Sequence, residues 1–137
     1  MNLIATISSD AIDQWINCKN SEGFAVLQKS VQKWVIDIAP GDNLFVRHAA
    51  HGWIAKCKTT SEAKVPNANQ RDYWAPKFGP IGLFIPFEIV AEYNPPKFLP
   101  FPDFKQKETG ISLNLFRKAI SRISESEAEK LNIFLSN

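Results

Sequence analysis

The sequence predicts an α+β domain: a strongly twisted or barrel-like sheet of five or six strands with helices packed outside it. Three observations carry that expectation. The chain opens on an apolar, β-branched run followed by a helix-capping turn, its middle is a series of turn-bounded alternating segments, and its end returns to helical spacing. No internal repeat and no flexible Gly/Ser linker interrupts this order.

Leu3-Ile4-Ala5-Thr6-Ile7 is the first strand, and Ser8-Ser9-Asp10 offers the N-cap of a helix beginning near Ala11. That helix carries Ile12, Trp15 and Ile16 at i, i+3, i+4 spacing and ends between Asn20 and Gly23, before a short irregular stretch. Ala39-Pro40-Gly41-Asp42 marks a tight turn into the strand Asn43–Arg47. His48 to Gly52 then connects to Trp53–Thr59 as a hairpin, with Trp53, Ala55 and Cys57 on the buried face and Ile54, Lys56 and Lys58 on the other. Pro66 to Pro76 reads as a loop that displays Tyr73 and Trp74. From Ile81 to Val90 the alternation is strict, although Pro86 has no N–H to donate and belongs at an edge or a bulge. Tyr93 to Phe104 is proline-rich, but Phe98, Phe101 and Phe104 make it a packed strap. Leu113, Phe116, Ile120 and Ile123 recur at helical spacing, and after a break Ser124 and Glu127 form an S-x-x-E capping box that starts a last helix through Leu131 and Phe134.

At 137 residues and 15.5 kDa the chain is read as a single domain over 1–137. Hydrophobic residues at 45% and charged residues at 22% exclude disordered and low-complexity classes. No apolar run approaches the roughly 18 residues that span a bilayer, and the start lacks a basic signal-type region, so no membrane partner and a cytoplasmic location are expected. The start at Met1 and the capped last helix argue for a complete domain. Two cysteines, Cys18 and Cys57, are too few for a disulfide scaffold and are expected as reduced thiols. Net charge is only +2, but from Leu44 to Lys77 six basic residues face two acidic ones, whereas the last fourteen residues carry Glu125, Glu127 and Glu129 against Lys130. Such asymmetry can focus phosphates on one face.

The usual catalytic signatures are missing. There is no G-x-S-x-G elbow, no P-loop lysine motif and no dinucleotide glycine fingerprint. His48-x-x-His51 with Cys57 is a weak metal pattern, and Cys57 lacks a positioned base for nucleophilic work, so no metal, no cofactor and no enzyme activity are expected. Aromatics remain. Trp15 and Trp53 fall on apolar faces and read as core, while Phe24 and Trp74 fall in segments without periodicity beside polar groups, where a ring can stack on a base.

Leu3-Ile4-Ala5-Thr6 before a helix, Gly23-Phe24-Ala25-Val26, the run Ala39 to Val46, Gly52 to Cys57, and Leu115 to Ile120 followed by Ser124-Glu125-Ser126-Glu127 occur in an order that resembles the EVE domain. The EVE domain is a relative of the YTH domain in the PUA-like superfamily. The resemblance covers nearly the whole chain, and it rests on order and spacing, since no single motif is specific. It implies a β-barrel pocket whose aromatic cage receives a flipped modified base: methylated or hydroxymethylated cytosine or methylated adenine, in DNA or RNA. By position it assigns Phe24 and Trp74 to the cage and Ser8, Ser9 and Asp10 to the base edge. The family has Trp-Gly where this chain has Phe24-Ala25, so either the wall is smaller or Trp34 substitutes. Lys56, Lys58, Arg71 and Lys77 would then hold flanking phosphates. Fusion to, or association with, a restriction nuclease or an AAA+ motor is a further implication. The alternatives are a general PUA-like RNA-binding accessory domain without a base pocket and a nucleoside hydrolase of the related ASCH type using Lys29 with Asp10.

Overall fold

The computed structural model describes residues 1–8, 14–27, 31–65, 67, 81–98 and 118–136. Its elements are β1 (Asn2–Ile7), α1 (Gln14–Ser21), β2 (Gly23–Leu27), a 3-10 helix (Lys33–Asp37), β3 (Asn43–His48), β4 (Gly52–Thr59), β5 (Ile81–Lys97), β6 (Ile120–Ile123) and α2 (Glu125–Ser136). The strands form one six-stranded sheet in the order β2-β5-β4-β3-β1-β6. β1 and β3 pair in parallel, from Asn2 opposite Asn43 to Ile7 opposite His48, and every other neighbour is antiparallel. The expected α+β class holds, with a curled sheet carrying helices on its outside.

The curl comes from β5, which runs 17 residues and serves two partners. Ile81 to Pro86 pairs with β2, and Phe87 to Lys97 pairs with β4. Pro86 stands at this handover, inside the sheet and not at its edge. Its carbonyl accepts the N–H of Thr60 at 3.0 Å, and its missing N–H falls where the strand changes partners. β5 also continues to Lys97, so Tyr93 to Lys97, expected as part of a strap, is strand; the remainder of that strap, 99–104, lies outside the described residues.

Both faces of the sheet are covered, and two cores result. The larger is built from Leu3, Ala5, Ile7, Leu44, Val46, Ala55, Cys57, Phe84 and Ile85 together with Cys18 of α1. The smaller joins Ile4, Phe45, Trp53 and Ile123 to Ala128, Leu131 and Leu135 of α2. Alternate residues of β1 and β3 thus feed opposite cores. On β4 the expected strict alternation breaks: the register against β5 shifts between Trp53 and Ala55, and Ile54 and Ala55 both enter the larger core. That is the signature of a bulge.

Local chemistry fixes the turns. Gly41 (φ +88°) closes the Pro40-Gly41-Asp42 turn, which is tied by Asp42 Oδ2 accepting the Ala39 N–H at 2.8 Å and Oδ1 meeting the Met1 amino group at 2.8 Å. At α2 the capping box is present in both directions: Ser124 Oγ accepts the Glu127 N–H at 3.1 Å and Glu127 Oε1 accepts the Ser124 N–H at 2.9 Å. Such a cap contributes about 1 kcal/mol.

Two expectations are corrected here. The stretch after α1 is a strand, β2, whose Gly23, Phe24, Ala25 and Val26 are all buried. Ile120 and Ile123, expected in a helix, form the edge strand β6 against β1, with Ala5 opposite Ile120 and Asn2 opposite Ile123. Leu113 and Phe116 lie outside the described residues, as do Ala11 and Ile12, which the sequence expects at the start of the first helix.

Candidate functional site

Of the residues singled out in the sequence, Ser8, Phe24, Trp34, Lys56 and Lys58 lie within the described residues; Ser9, Asp10, Lys29, Arg71, Tyr73, Trp74 and Lys77 lie outside them. Phe24, on β2, is 2% exposed and packed in the larger core. Trp34, on the 3-10 helix, is half-buried against the same core. Its Nε1–H donates to Gln32 Oε1 at 2.8 Å, Gln32 Nε2 in turn donates to the Ile120 carbonyl, and the Arg122 guanidinium sits 5.2 Å from the ring centroid. One face of Trp34 therefore already holds a flat cation, the kind of surface on which a base can also stack.

Lys56 belongs to the opposite layer. Its Nζ donates to Asn132 Oδ1 of α2 at 2.7 Å and lies 5.7 Å from the Phe45 ring centroid, in the smaller core. Lys58, two residues on along β4, is exposed. The fold thus places Phe24 and Trp34 on the larger core and Lys56 on the α2-covered face, and it does not bring Lys56 to Phe24.

Trp53 is fully buried, as expected, whereas Trp15 is only half-buried. It stacks on Phe87 at 6.1 Å, and its Nε1–H and the Lys19 ammonium both reach Glu92 Oε2 at 3.3 Å. Beside this cluster a groove of about 650 Å³ opens between the end of α1, the chain after β4 and the middle of β5. Among the described residues its lining carries Lys19 and Lys64 together with Glu22 and Glu88, and none of Ser8, Phe24, Trp34, Lys56 and Lys58.

His48 and His51 stack with centroids 4.7 Å apart, but they do not share a metal geometry, because His48 Nδ1 accepts backbone N–H groups from Ala50 at 3.1 Å and His51 at 3.3 Å. Among the described residues no three His, Cys, Asp or Glu side chains converge as metal ligands. Burial, then the charges on His51 and Arg47, push the His48 pKa down. Burial pushes the neighbouring Arg47 down to about 10, which leaves it a cation at neutral pH.

Both cysteines are buried. Burial first, then the proximity of Cys57, raises Cys18; burial first, then Glu92, raises Cys57 to about 12. In the unfolded chain thiols ionise near 9, so above that pH the native state holds protons that the unfolded state releases, and stability falls as pH rises from about 9 towards 12. At pH 8 both thiols are expected to resist a thiol-specific reagent that labels the urea-unfolded chain completely, and the urea midpoint is expected to drop above pH 9. Rapid labelling of the native protein would contradict this placement.

No protein-family model matches the chain, and no curated protein matches it. Solved structures do match. A crystal structure of a Pseudomonas syringae protein is similar with a TM-score of 0.65 at 15% identity, covering 98% of this chain and 99% of that one. The YTH domain-containing protein mmi1, solved as a complex with RNA, is similar with a TM-score of 0.58 at 8% identity, covering 97% and 81%. The YTH domain of a Zygosaccharomyces rouxii protein, in complex with N6-methyladenosine RNA, gives 0.52 at 10% identity, covering 97% and 86%. The chain shares its fold with these proteins, YTH domains among them. At these identities the likeness is one of backbone, and it assigns no side chain a role. Among the described residues no helix is long and apolar enough to cross a membrane.

Proposed function

We propose that this domain is a non-enzymatic, EVE-like reader of nucleic acid that receives a modified base in an aromatic cage. The observation that carries the reading is the likeness, over 97% of the chain, to two YTH domains solved with RNA, one of them with N6-methyladenosine RNA. The cage is assigned to Phe24, Trp34 and Trp74, the base edge to Ser8, Ser9 and Asp10, and the phosphates to Lys56, Lys58, Arg71 and Lys77. The energetics suit such a site. Extruding a base costs a few kcal/mol, which stacking at about 1–3 kcal/mol per base and edge hydrogen bonds can offset. A methyl group adds about 0.8 kcal/mol when buried, enough for a tight cage to prefer the modified base. Phosphate contacts add salt-dependent affinity without sequence choice.

A second reading is a PUA-like grip on structured RNA without a base pocket. The burial of Phe24 favours it, since a ring that is 2% exposed offers no free face. Binding at fixed salt to short DNA and RNA oligonucleotides carrying unmodified bases, 5-methylcytosine, 5-hydroxymethylcytosine or N6-methyladenine separates the two. The reader is expected to prefer one modified base by about tenfold or more and to lose that preference in Trp74→Ala. Equal, salt-sensitive binding to every oligonucleotide would overturn it in favour of the pocketless grip.

A further inference from the structure

β2 borders β5 only as far as Pro86, opposite Gly23, and one further bond, the Phe87 N–H donating to the Glu22 carbonyl at 3.0 Å, closes that side. The residues before Glu22 belong to α1, and among the described residues no strand borders this side of β5 beyond Phe87, whereas the other side stays paired with β4 to Lys97. Backbone groups alternate along a strand, so the Ile89 N–H and C=O, two residues on from Phe87, point to the open side. The register against β4 is unbroken from Phe87 to Ile89, opposite Thr59 to Cys57, so no bulge reverses that direction. The groove of about 650 Å³ lies along this open lane, with Glu22, Phe87, Glu88 and Ile89 in its lining. Ile89 and Val90 are 39% and 52% exposed there. The charges beside them are mostly acidic. Lys19 pairs with Glu92 at 3.3 Å, whereas Glu22 and Glu88 form no ion pair among the described residues, against one unpaired lysine of the lining, Lys64. Lys58, opposite Glu88 on β4, does not reach salt-bridge distance of it.

From this geometry we infer that the open edge of β5 is a protein-docking site that takes an extended segment of a partner as an added strand, one in which apolar residues alternate with lysine or arginine. An unpaired edge with exposed apolar residues is a template for another strand, and the charges flanking it decide which strand it accepts. The N–H and C=O of Ile89 bind the backbone of the segment, its apolar side chains seat on Phe87 and Ile89, and its cations meet Glu22 and Glu88. A nucleic acid is disfavoured on this edge, because the carboxylates repel phosphates. A second copy is disfavoured as well: pairing two β5 edges antiparallel about Ile89 brings Glu88 and Glu92 of both chains along one seam, where like charges destabilise the sheet. The inference goes beyond the reader reading and does not depend on it.

Selection on the full chain from a random library of peptides of about twelve residues, displayed on phage, tests this; a strand of that length more than covers the open edge. The enriched sequences are expected to alternate apolar residues with Lys or Arg. A synthetic peptide of the enriched sequence should slow hydrogen exchange of the Ile89 amide, and N-methylation of one set of its alternate amides should weaken binding about tenfold while the other set is tolerated. The double variant Glu22→Gln, Glu88→Gln should bind that peptide about tenfold more weakly at low salt. Both carboxylates are on exposed residues, so the double variant should keep the urea midpoint of the wild type. Failure to enrich any peptide, or enrichment of acidic ones, overturns the site. So does an enriched peptide that binds the double variant as tightly as the wild type or leaves the Ile89 amide exchange unchanged. Concentration-dependent dimerisation in sedimentation, abolished by Ile89→Asp, would assign the edge to a second copy and overturn the peptide partner.

Discussion

Replacing Trp53 with alanine is expected to destabilise the domain by about 3–5 kcal/mol. Among the described residues Trp53 is the largest fully buried side chain, and it belongs to the smaller core with Ile4 and Phe45 of the sheet and Leu131 and Leu135 of α2. A helix of 12 residues is marginal alone, so α2 depends on the apolar surface it covers together with its cap. Truncating Trp53 leaves a cavity under that helix which the sheet cannot close, because β4 is paired on both sides by β3 and β5. The loss should appear as a fall in Tm on the order of 10 °C, and α2 amides should lose hydrogen-exchange protection ahead of those of β1 and β3. A loss below about 1 kcal/mol would mean that the smaller core is not what holds α2 on the sheet. Gly52, immediately before it, is fixed for a different reason: at φ +92° it lies against the Lys97 carbonyl, where a Cβ has no room.

The parts of the fold legible in the sequence are those whose signal is local. β1, the β3–β4 hairpin and the Ser124–Glu127 box each carry their own turn or cap chemistry within a few residues, and the structure reproduces them. β2 was not legible, because a strand covered on both faces has no alternation to show, and Gly23-Phe24-Ala25-Val26 is buried throughout. β6 misled in the opposite way. Its buried Ile120, Ser121 and Ile123 give an i, i+3 spacing that mimics a helix face, and only the pairing with Asn2–Ala5, more than a hundred residues away, decides for strand. The Ile54–Ala55 bulge and the run of β5 through Pro95 and Pro96 are likewise set by strand partners. At the candidate site the aromatic positions could be named from order and spacing, but their exposure could not. Nor could His48 be read as the acceptor that ties the β3–β4 turn, since that depends on how residues 48–51 fold back on its Nδ1.

Phe24 is where stability and recognition can be pulled apart. Phe24→Ala should cost about 3–5 kcal/mol whether or not the ring belongs to a cage, because it removes a 2%-exposed side chain from the larger core. That variant therefore tests only the core. Phe24→Leu retains most of the volume and should cost about 1 kcal/mol, yet it removes the aromatic face. Stacking at about 1–3 kcal/mol per base makes the expected loss in binding to the preferred modified oligonucleotide about tenfold, with urea unfolding showing the variant still folded. Gly23 beside it reinforces the constraint. A Cβ there would collide with the Phe84 ring and the Ile85 carbonyl, so no larger residue fits beside Phe24 without displacing β2 from β5. If the Phe24→Leu variant binds as tightly as wild type, the ring is a core group only, and the base must stack on Trp34 and Trp74. The stacking surface would then lie toward the 3-10 helix, where the Trp34 ring already has the Arg122 guanidinium 5.2 Å from its centroid.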